Sequence, residues 1–251
     1  LAIAISYYQT DPSLLRRIVN NSPYEKSLRK LIKSENVNEE KEKMIVTHYD
    51  GYRFDKGTMK GKEKQTENNY DLFASISNIL DKLYKSGSKV KIFYDCEVCD
   101  RKNHSVMRYQ FEPSEVSDEM DYSAILKRCV EGYSLCKNKV QGKACNGPRT
   151  NVRVEVQKDC WLIDMDISVI FPRRDNSSIS DIPNDIEVGE TTFRLAGIVL
   201  YNDIHYVALI PFDGKWIYYD GLMRRNLMSW MEIKDIPKGF RTSNIFYIRN
   251  D

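Results

Sequence analysis

Residues 193–221, FRLAGIVLYNDIHYVALIPFDGKWIYYDG, contain the clearest structural pattern in the chain. Three runs rich in β-branched and aromatic residues are separated by two short polar breaks, and the second break is the turn dipeptide Asp213-Gly214. This pattern predicts consecutive antiparallel strands with a tight hairpin between the second and the third. Pairing across that turn would place His205 opposite a position near Leu222, and therefore within two positions of Asp220.

The predicted proximity of His205 and Asp220 has two interpretations. An imidazole beside a carboxylate is the orienting half of a nucleophile–histidine–aspartate arrangement, because the carboxylate fixes the tautomer and stabilises the imidazolium. The alternative is a surface ion pair at the end of a hairpin. The other two histidines, His48 beside a turn and His104 in a polar segment, are interpreted as surface residues.

The composition narrows the class of protein. The 251 residues are 41% hydrophobic and 29% charged, which is typical of a folded globular chain rather than a disordered one. No run approaches the roughly eighteen apolar residues of a membrane span, so no membrane partner is expected. The 38 basic and 36 acidic residues nearly cancel to a net charge of +2, which argues against a dedicated nucleic-acid binder.

The remainder of the chain predicts an α+β fold, with helices in the N-terminal third and strands in the rest. Apolar spacing predicts helices over 1–33, 72–83 and 122–130. Loops are expected over 56–69 and 172–185. Strand-like sequence covers 44–54, 90–99, 105–113, 151–157, 160–171, 191–201, 205–212, 215–220 and 243–250.

Residues 193–221 resemble the histidine box of ubiquitin-specific proteases, a papain-like family that cleaves after the C-terminal glycine of ubiquitin. The features that match are His205-Tyr206, Trp216 and Tyr219-Asp220. The closing run 243–250 resembles the last strand of that family, whereas 160–172 lacks the usual leucine-lysine-arginine-phenylalanine ending. Weaker similarities elsewhere involve Asn69, Tyr70, Asp71, Pro12, Leu15 and Arg16.

The resemblance implies a papain-like cysteine protease fold in a single domain. Its parts would be a helical thumb over 1–89, fingers over 90–150 and an antiparallel palm sheet over 151–251, with the cleft between thumb and palm. His205 would act as general base and acid, and Asp220 would orient it. The family's nucleophilic cysteine would fall about two residues before Leu1.

The resemblance also places a zinc ribbon in the fingers, where Cys96 and Cys99 form a CxxC pair. Two thiolates at that spacing hold one side of a tetrahedral Zn²⁺, and Cys136 with Cys145 are the candidates for the other side. The alternative is four unmetallated thiols. Cys129 and Cys160 are expected to be structural.

Two departures from the family pattern leave the activity open. Ile204 replaces the glycine that usually precedes the histidine, and Ala74-Ser75 replaces a Glu-Phe pair. The expectation is either a thiol isopeptidase acting on ubiquitin or a ubiquitin-like modifier, or a catalytically dead relative that binds a protein partner as a scaffold. Either form is expected in a reducing compartment, the cytoplasm or the nucleus.

Overall fold

The computed structural model divides into two compact units, one comprising Leu1–Pro12 with Ser88–Asp251 and the other comprising Ser13–Gly87. The structure describes residues 23–36, 39–40, 43–44, 47, 90–108, 110–111, 122–131, 135–136, 138–158, 160–168, 178–203, 205–220 and 231–250. Every strand within these ranges belongs to the first unit.

The larger unit is built mainly from antiparallel sheet. Its described strands are β1 (Val90–Cys96), β2 (Arg101–Arg108), β3 (Gln110–Phe111), β4 (Lys139–Val140), β5 (Lys143–Ala144), β6 (Arg149–Val156), β7 (Leu162–Asp166), β8 (Asp185–Val188), β9 (Thr191–Tyr201), β10 (Tyr206–Phe212), β11 (Lys215–Tyr219), β12 (Met231–Ile233) and β13 (Arg241–Arg249). One helix, α2 (Tyr122–Glu131), and a short 3-10 turn (Ile179–Asp181) accompany them.

The main sheet has the strand order β12-β11-β10-β9-β13-β7-β3, and β8 pairs with β9 beside this path. Its pairs are antiparallel except for β3, which runs parallel to β7. Alternate residues of the strands point into one core, as the two-residue repeat of a strand requires. The fully buried members of that core include Phe111, Ile125, Ile163, Met165, Phe193, Ile198, Leu209, Ile245 and Tyr247.

A second, three-stranded sheet has the order β2-β1-β6. In β1 the residues alternate strictly between buried and half-buried, so that Val90 and Ile92 join the main core while Tyr94 and Cys96 join a small separate cluster with Cys136. This sheet therefore extends from the main core to the cysteines. The predicted pair of strands with a CxxC turn between them is confirmed.

In the smaller unit, the described helix α1 spans Pro23–Lys33, which confirms the predicted amphipathic helix there. Leu28, Leu31 and Ile32 supply its buried face. The strand predicted over 44–54 is wrong at Met44 and Thr47, where the backbone is helical.

The backbone is helical here because Lys43 forms ion pairs with two preceding glutamates. Lys43 contacts Glu39 at 2.7 Å and Glu40 at 2.8 Å, and the Thr47 hydroxyl donates to the Lys43 carbonyl. Pairs three and four residues apart stabilise a helix, and here they outweigh the strand preference of the β-branched residues.

Several sequence predictions fall outside the described residues, namely the helices over 1–22 and 72–83 and the loop over 56–69. Among the described helices, none combines the length and apolar character needed to cross a membrane. Three strand segments were not predicted: β8, β12 and the β4–β5 hairpin. All three are short and polar on at least one side, which weakens the alternating signal on which strand prediction depends.

Candidate functional site: a histidine–aspartate pair and a four-cysteine cluster

The hairpin of β10 and β11 places His205 and Asp220 at its open end. Both turn residues, Asp213 and Gly214, have positive φ, of 50° and 72°. This geometry matches the right-handed twist of the two strands and sets their register. Ala208 consequently pairs with Tyr219, which is the register that the sequence predicts. His205 immediately precedes β10 and Asp220 immediately follows β11.

The two side chains are directly hydrogen-bonded. His205 Nε2 lies 2.8 Å from Asp220 Oδ1. The His205 side chain is 21% exposed and that of Asp220 is 11% exposed, so the pair is largely withdrawn from water but the imidazole is reachable. With the carboxylate ionised, Nε2 carries the donated hydrogen. The lone pair is then on Nδ1, and this nitrogen can accept a proton from a neighbouring acid.

The aspartate lies beside two tyrosines on β11. Burial, and then the negative charge of Asp220, raise the pKa of Tyr218 and of Tyr219. Both phenols are therefore neutral near pH 7, and neither competes with His205 as an acid or base there.

The four cysteines predicted as metal ligands lie together. The sulfur atoms of Cys96, Cys99, Cys136 and Cys145 are all within 4.8 Å of one another. The Cys96–Cys145 sulfurs are 3.6 Å apart and the Cys99–Cys136 sulfurs are 3.9 Å apart. A tetrahedral site with Zn–S bonds of about 2.3 Å requires sulfurs about 3.8 Å from one another. The donor set and its spacing therefore fit Zn²⁺.

Two turns bring these sulfurs together. Cys96 ends β1 and Cys99 lies in the turn that leads to β2, where Asp100 has the positive φ of 47°. On the other side, the β4–β5 hairpin lies between Cys136 and Cys145, and the Cys145 N–H donates to the Asn138 carbonyl at 2.7 Å. The hairpin thus closes the eight-residue gap, which is longer than that of a CxxC pair.

The sulfurs perturb one another electrostatically. The Cys99 backbone N–H lowers the pKa of Cys96 to about 7. Burial, followed by hydrogen bonding with the neighbouring thiols, raises the pKa of Cys99 to about 12. Burial and the neighbouring thiols therefore disfavour a second thiolate beside Cys96. A divalent cation would reverse that penalty and stabilise all four thiolates together.

Gly147 makes this packing possible, and its substitution gives a testable prediction. A Cβ atom on Gly147 would lie 2.6 Å from Val98 Cβ and 2.9 Å from Cys96 Sγ. Gly147→Ala is therefore expected to displace the Cys96 sulfur and to weaken zinc binding by roughly 10- to 100-fold. The measurement is a competition titration against a chromophoric chelator.

Gly142→Ala is the comparison variant. Gly142 has a φ of 81° with nothing within 4 Å of the added carbon, so alanine there costs only backbone strain of about 1 kcal/mol. Equal zinc affinities for the two variants would contradict the steric explanation.

The remaining residues singled out in the sequence are either buried or have side chains outside the described residues. Cys160 is fully buried, with its sulfur 3.8 Å from the Leu162 carbonyl oxygen. The side chains of Cys129, His48, His104 and Ile204 lie outside the described residues. The ion pair between Arg241 and Asp203, close to His205, was not predicted from the sequence. The dipeptide Asn202-Asp203 is typical of a turn between two strands, but no sequence pattern links Asp203 to Arg241.

Several solved structures are similar to this chain. The chain is 12% identical to a chain in the structure of the Ubp8-Sgf11-Sgf73-Sus1 SAGA DUB module, with a TM-score of 0.48 and coverage of 100% of this chain and 64% of that chain. The chain is 12% identical to a chain of the Saccharomyces cerevisiae Pan2 pseudoubiquitin hydrolase-RNA exonuclease module, with a TM-score of 0.42 and coverage of 64% of this chain and 32% of that chain. It is also 12% identical to an essential yeast splicing factor, with a TM-score of 0.43 and coverage of 98% of this chain and 68% of that chain.

The chain thus spans less than two thirds of the SAGA DUB module chain that it matches. No curated protein matches it in sequence. One family model does match, that of DRIP1, dopamine receptor-interacting protein 1, over residues 52–251. It is not the ubiquitin-specific protease family that the sequence resembles. The matched region covers most of the chain and includes both His205–Asp220 and the four cysteines. The chain therefore belongs to the dopamine receptor-interacting protein 1 family.

Proposed function

We propose that this chain is a divergent domain of the ubiquitin-specific protease type, with thumb, fingers and palm, that hydrolyses an isopeptide bond to ubiquitin or a ubiquitin-like modifier. The observation that carries the proposal is the 2.8 Å contact between His205 Nε2 and Asp220 Oδ1 at the open end of the β10–β11 hairpin. The Asp220 side chain is only 11% exposed, whereas the partners of a surface ion pair are exposed to water. Placing a carboxylate in such surroundings is costly unless it has a specific partner.

The proposed reaction requires a reactive cysteine, for which the resemblance to ubiquitin-specific proteases implies a position before Leu1. His205 Nδ1 takes the thiol proton, and the thiolate attacks the carbonyl carbon of the modifier's terminal glycine. His205 then gives the proton to the departing lysine amine as the C–N bond breaks. These steps leave the modifier joined to the cysteine sulfur as a thioester. In the second half, His205 takes a proton from water as the water oxygen attacks the thioester carbonyl; the C–S bond then breaks, the modifier leaves as a carboxylic acid, and His205 returns the proton to the sulfur. Asp220 holds the imidazole and stabilises its protonated form.

We further propose that Cys96, Cys99, Cys136 and Cys145 hold one structural Zn²⁺. The support is the sulfur spacing of 3.6 Å and 3.9 Å, which a tetrahedral zinc site requires. The metal would join the β1–β2 turn to the β4–β5 hairpin and take no part in the hydrolysis.

The test of the hydrolase proposal uses the full-length protein and ubiquitin that carries a C-terminal vinyl electrophile. A covalent adduct is expected with the wild-type protein and none with His205→Ala. Circular dichroism should show that the variant is folded. Absence of an adduct with folded wild-type protein would contradict hydrolysis of ubiquitin, and electrophiles built on ubiquitin-like modifiers extend the same test.

A scaffold that binds a protein partner without hydrolysis is the second candidate. Two observations favour it: the family is described as a receptor-interacting protein, and Ile204 stands where the protease pattern has glycine. An isoleucine side chain there would narrow the path of a diglycine tail. Ile204→Gly separates the two candidates, because it should increase adduct formation if the tail enters beside His205 and change nothing in a scaffold.

A further inference from the structure

The loop before His205 has an unusual conformation. It joins Tyr201, at the end of β9, to Tyr206, at the start of β10, and these two residues pair in the sheet. Within the loop the Asn202 N–H donates to the His205 carbonyl at 3.2 Å. Any change in this loop therefore moves the backbone from which the imidazole projects.

Two features make the loop conformation unfavourable by itself. Asp203 has a φ of 75°, a left-handed conformation that is unfavourable for a residue other than glycine. Within the part of the chain that the structure describes, the Asn202 Oδ1 atom is buried without a hydrogen-bond partner, which leaves its loss of hydration uncompensated. Other contacts must offset these costs.

Four contacts involve Asp203 or Tyr201. The Arg241 guanidinium pairs with the Asp203 carboxylate, and it also lies over the Tyr201 ring at 5.6 Å from the centroid. The Tyr201 hydroxyl donates to the Asp203 carbonyl. The Tyr201 ring in turn stacks on Tyr206, the neighbour of His205, with centroids 4.5 Å apart.

No single contact is sufficient. The Asp203 side chain is 75% exposed, and an exposed ion pair contributes little by itself. The cation–π contact and the tyrosine hydrogen bond are each modest as well, so the conformation of Asn202 and Asp203 depends on these contacts acting together. Arg241 takes part in two of them, the ion pair and the cation–π contact.

We infer that Arg241 is a positioning residue for His205: it holds Asn202 and Asp203 in the conformation that, through the bond from the Asn202 N–H to the His205 carbonyl, places the imidazole against Asp220. Its importance for catalysis rests on the proposed function. The positional claim itself does not, because it concerns a hydrogen bond that exists without substrate.

The test is NMR of the His205 ring in the 251-residue chain. Donation from Nε2 to Asp220 should protect that ring hydrogen from exchange with water and give a resolved downfield resonance, which disappears in His205→Gln and in Asp220→Ala. Arg241→Ala is expected to accelerate its exchange at least about tenfold, or to abolish the signal, since loss of about 1.4 kcal/mol changes an equilibrium tenfold. Arg241→Lys, which keeps the charge but not the planar fork, should fall between.

Two further variants separate positioning from general destabilisation. Arg194→Ala is the matched control, because Arg194 forms an exposed ion pair with Asp185 at 3.5 Å on the same sheet. It should leave the signal unchanged. Asp203→Asn removes the charge but tolerates the left-handed backbone and leaves the contact of Arg241 with Tyr201 in place, so it should produce a smaller change in the same direction as Arg241→Ala.

An unchanged His205 signal in both Arg241→Ala and Asp203→Asn would overturn the inference, as would an equal effect from Arg194→Ala. These NMR results do not depend on the presence of a catalytic cysteine. If only the electrophile experiment fails, the proposed hydrolysis is contradicted and the positioning role of Arg241 is not.

Discussion

Replacing Cys136 with serine is expected to reduce bound zinc from one ion per chain to none and to lower Tm by at least roughly 10 °C. Structural zinc sites contribute on the order of 10 kcal/mol of binding free energy, and in a chain of this size each kcal/mol shifts Tm by about 2–4 °C. Cys136 is fully buried, so a serine hydroxyl there would lack the thiolate's affinity for the metal and would itself be desolvated. Elemental analysis and thermal unfolding with and without a chelator give the two readouts.

Cys160→Ser is the control for that experiment. Cys160 is also fully buried, but it lies outside the cluster. The variant should lose some stability and keep its zinc. Equal loss of metal from both variants, or a chain purified under metal-replete conditions without zinc, would contradict the four-cysteine site.

Asp220→Ala is expected to lower the catalytic rate of the full-length protein by roughly 100-fold or more. Without the carboxylate, the imidazole loses its fixed tautomer and the stabilisation of its protonated form. Asp220→Asn should retain most of the activity, because its amide oxygen can still accept the Nε2 hydrogen. The measurement is hydrolysis of a fluorogenic C-terminal amide of ubiquitin.

Asp185→Ala serves as the matched control, since Asp185 is an exposed aspartate on β8 that pairs with Arg194. It should hydrolyse the amide at the wild-type rate. If alanine at position 220 has no larger effect than alanine at position 185, then Asp220 does not orient the catalytic imidazole.

The hairpin that carries the candidate site could be predicted from the sequence because its signals are local. Asp213-Gly214 determines the turn type, and alternation on either side sets the register, so the pairing of Ala208 with Tyr219 follows from a short window. The CxxC turn between β1 and β2 was predictable for the same reason.

Features that depend on distant residues could not be predicted in this way. Arg241 and Asp203 are 38 residues apart and meet because β13 pairs with β9. The parallel pairing of β3 with β7 likewise joins segments that are far apart in the sequence. In both cases tertiary contacts decide the structure, and the local sequence does not contain them. The helix at Met44 and Thr47 is a different case, because the pairs of Lys43 with Glu39 and Glu40 are local and outweigh the strand preference of the β-branched residues there.

The most direct test of the central claim, that His205 activates a thiol, is the pH dependence of alkylation in the full-length, zinc-loaded protein. Iodoacetamide labelling mapped by peptide mass spectrometry should find one cysteine outside the cluster that reacts well below pH 7, because pairing with an imidazolium lowers a thiol pKa far below its usual value of about 8.5. In His205→Ala the same cysteine should react only near pH 8–9. A wild-type protein without such a cysteine, or a labelling profile unchanged by His205→Ala, would contradict the claim.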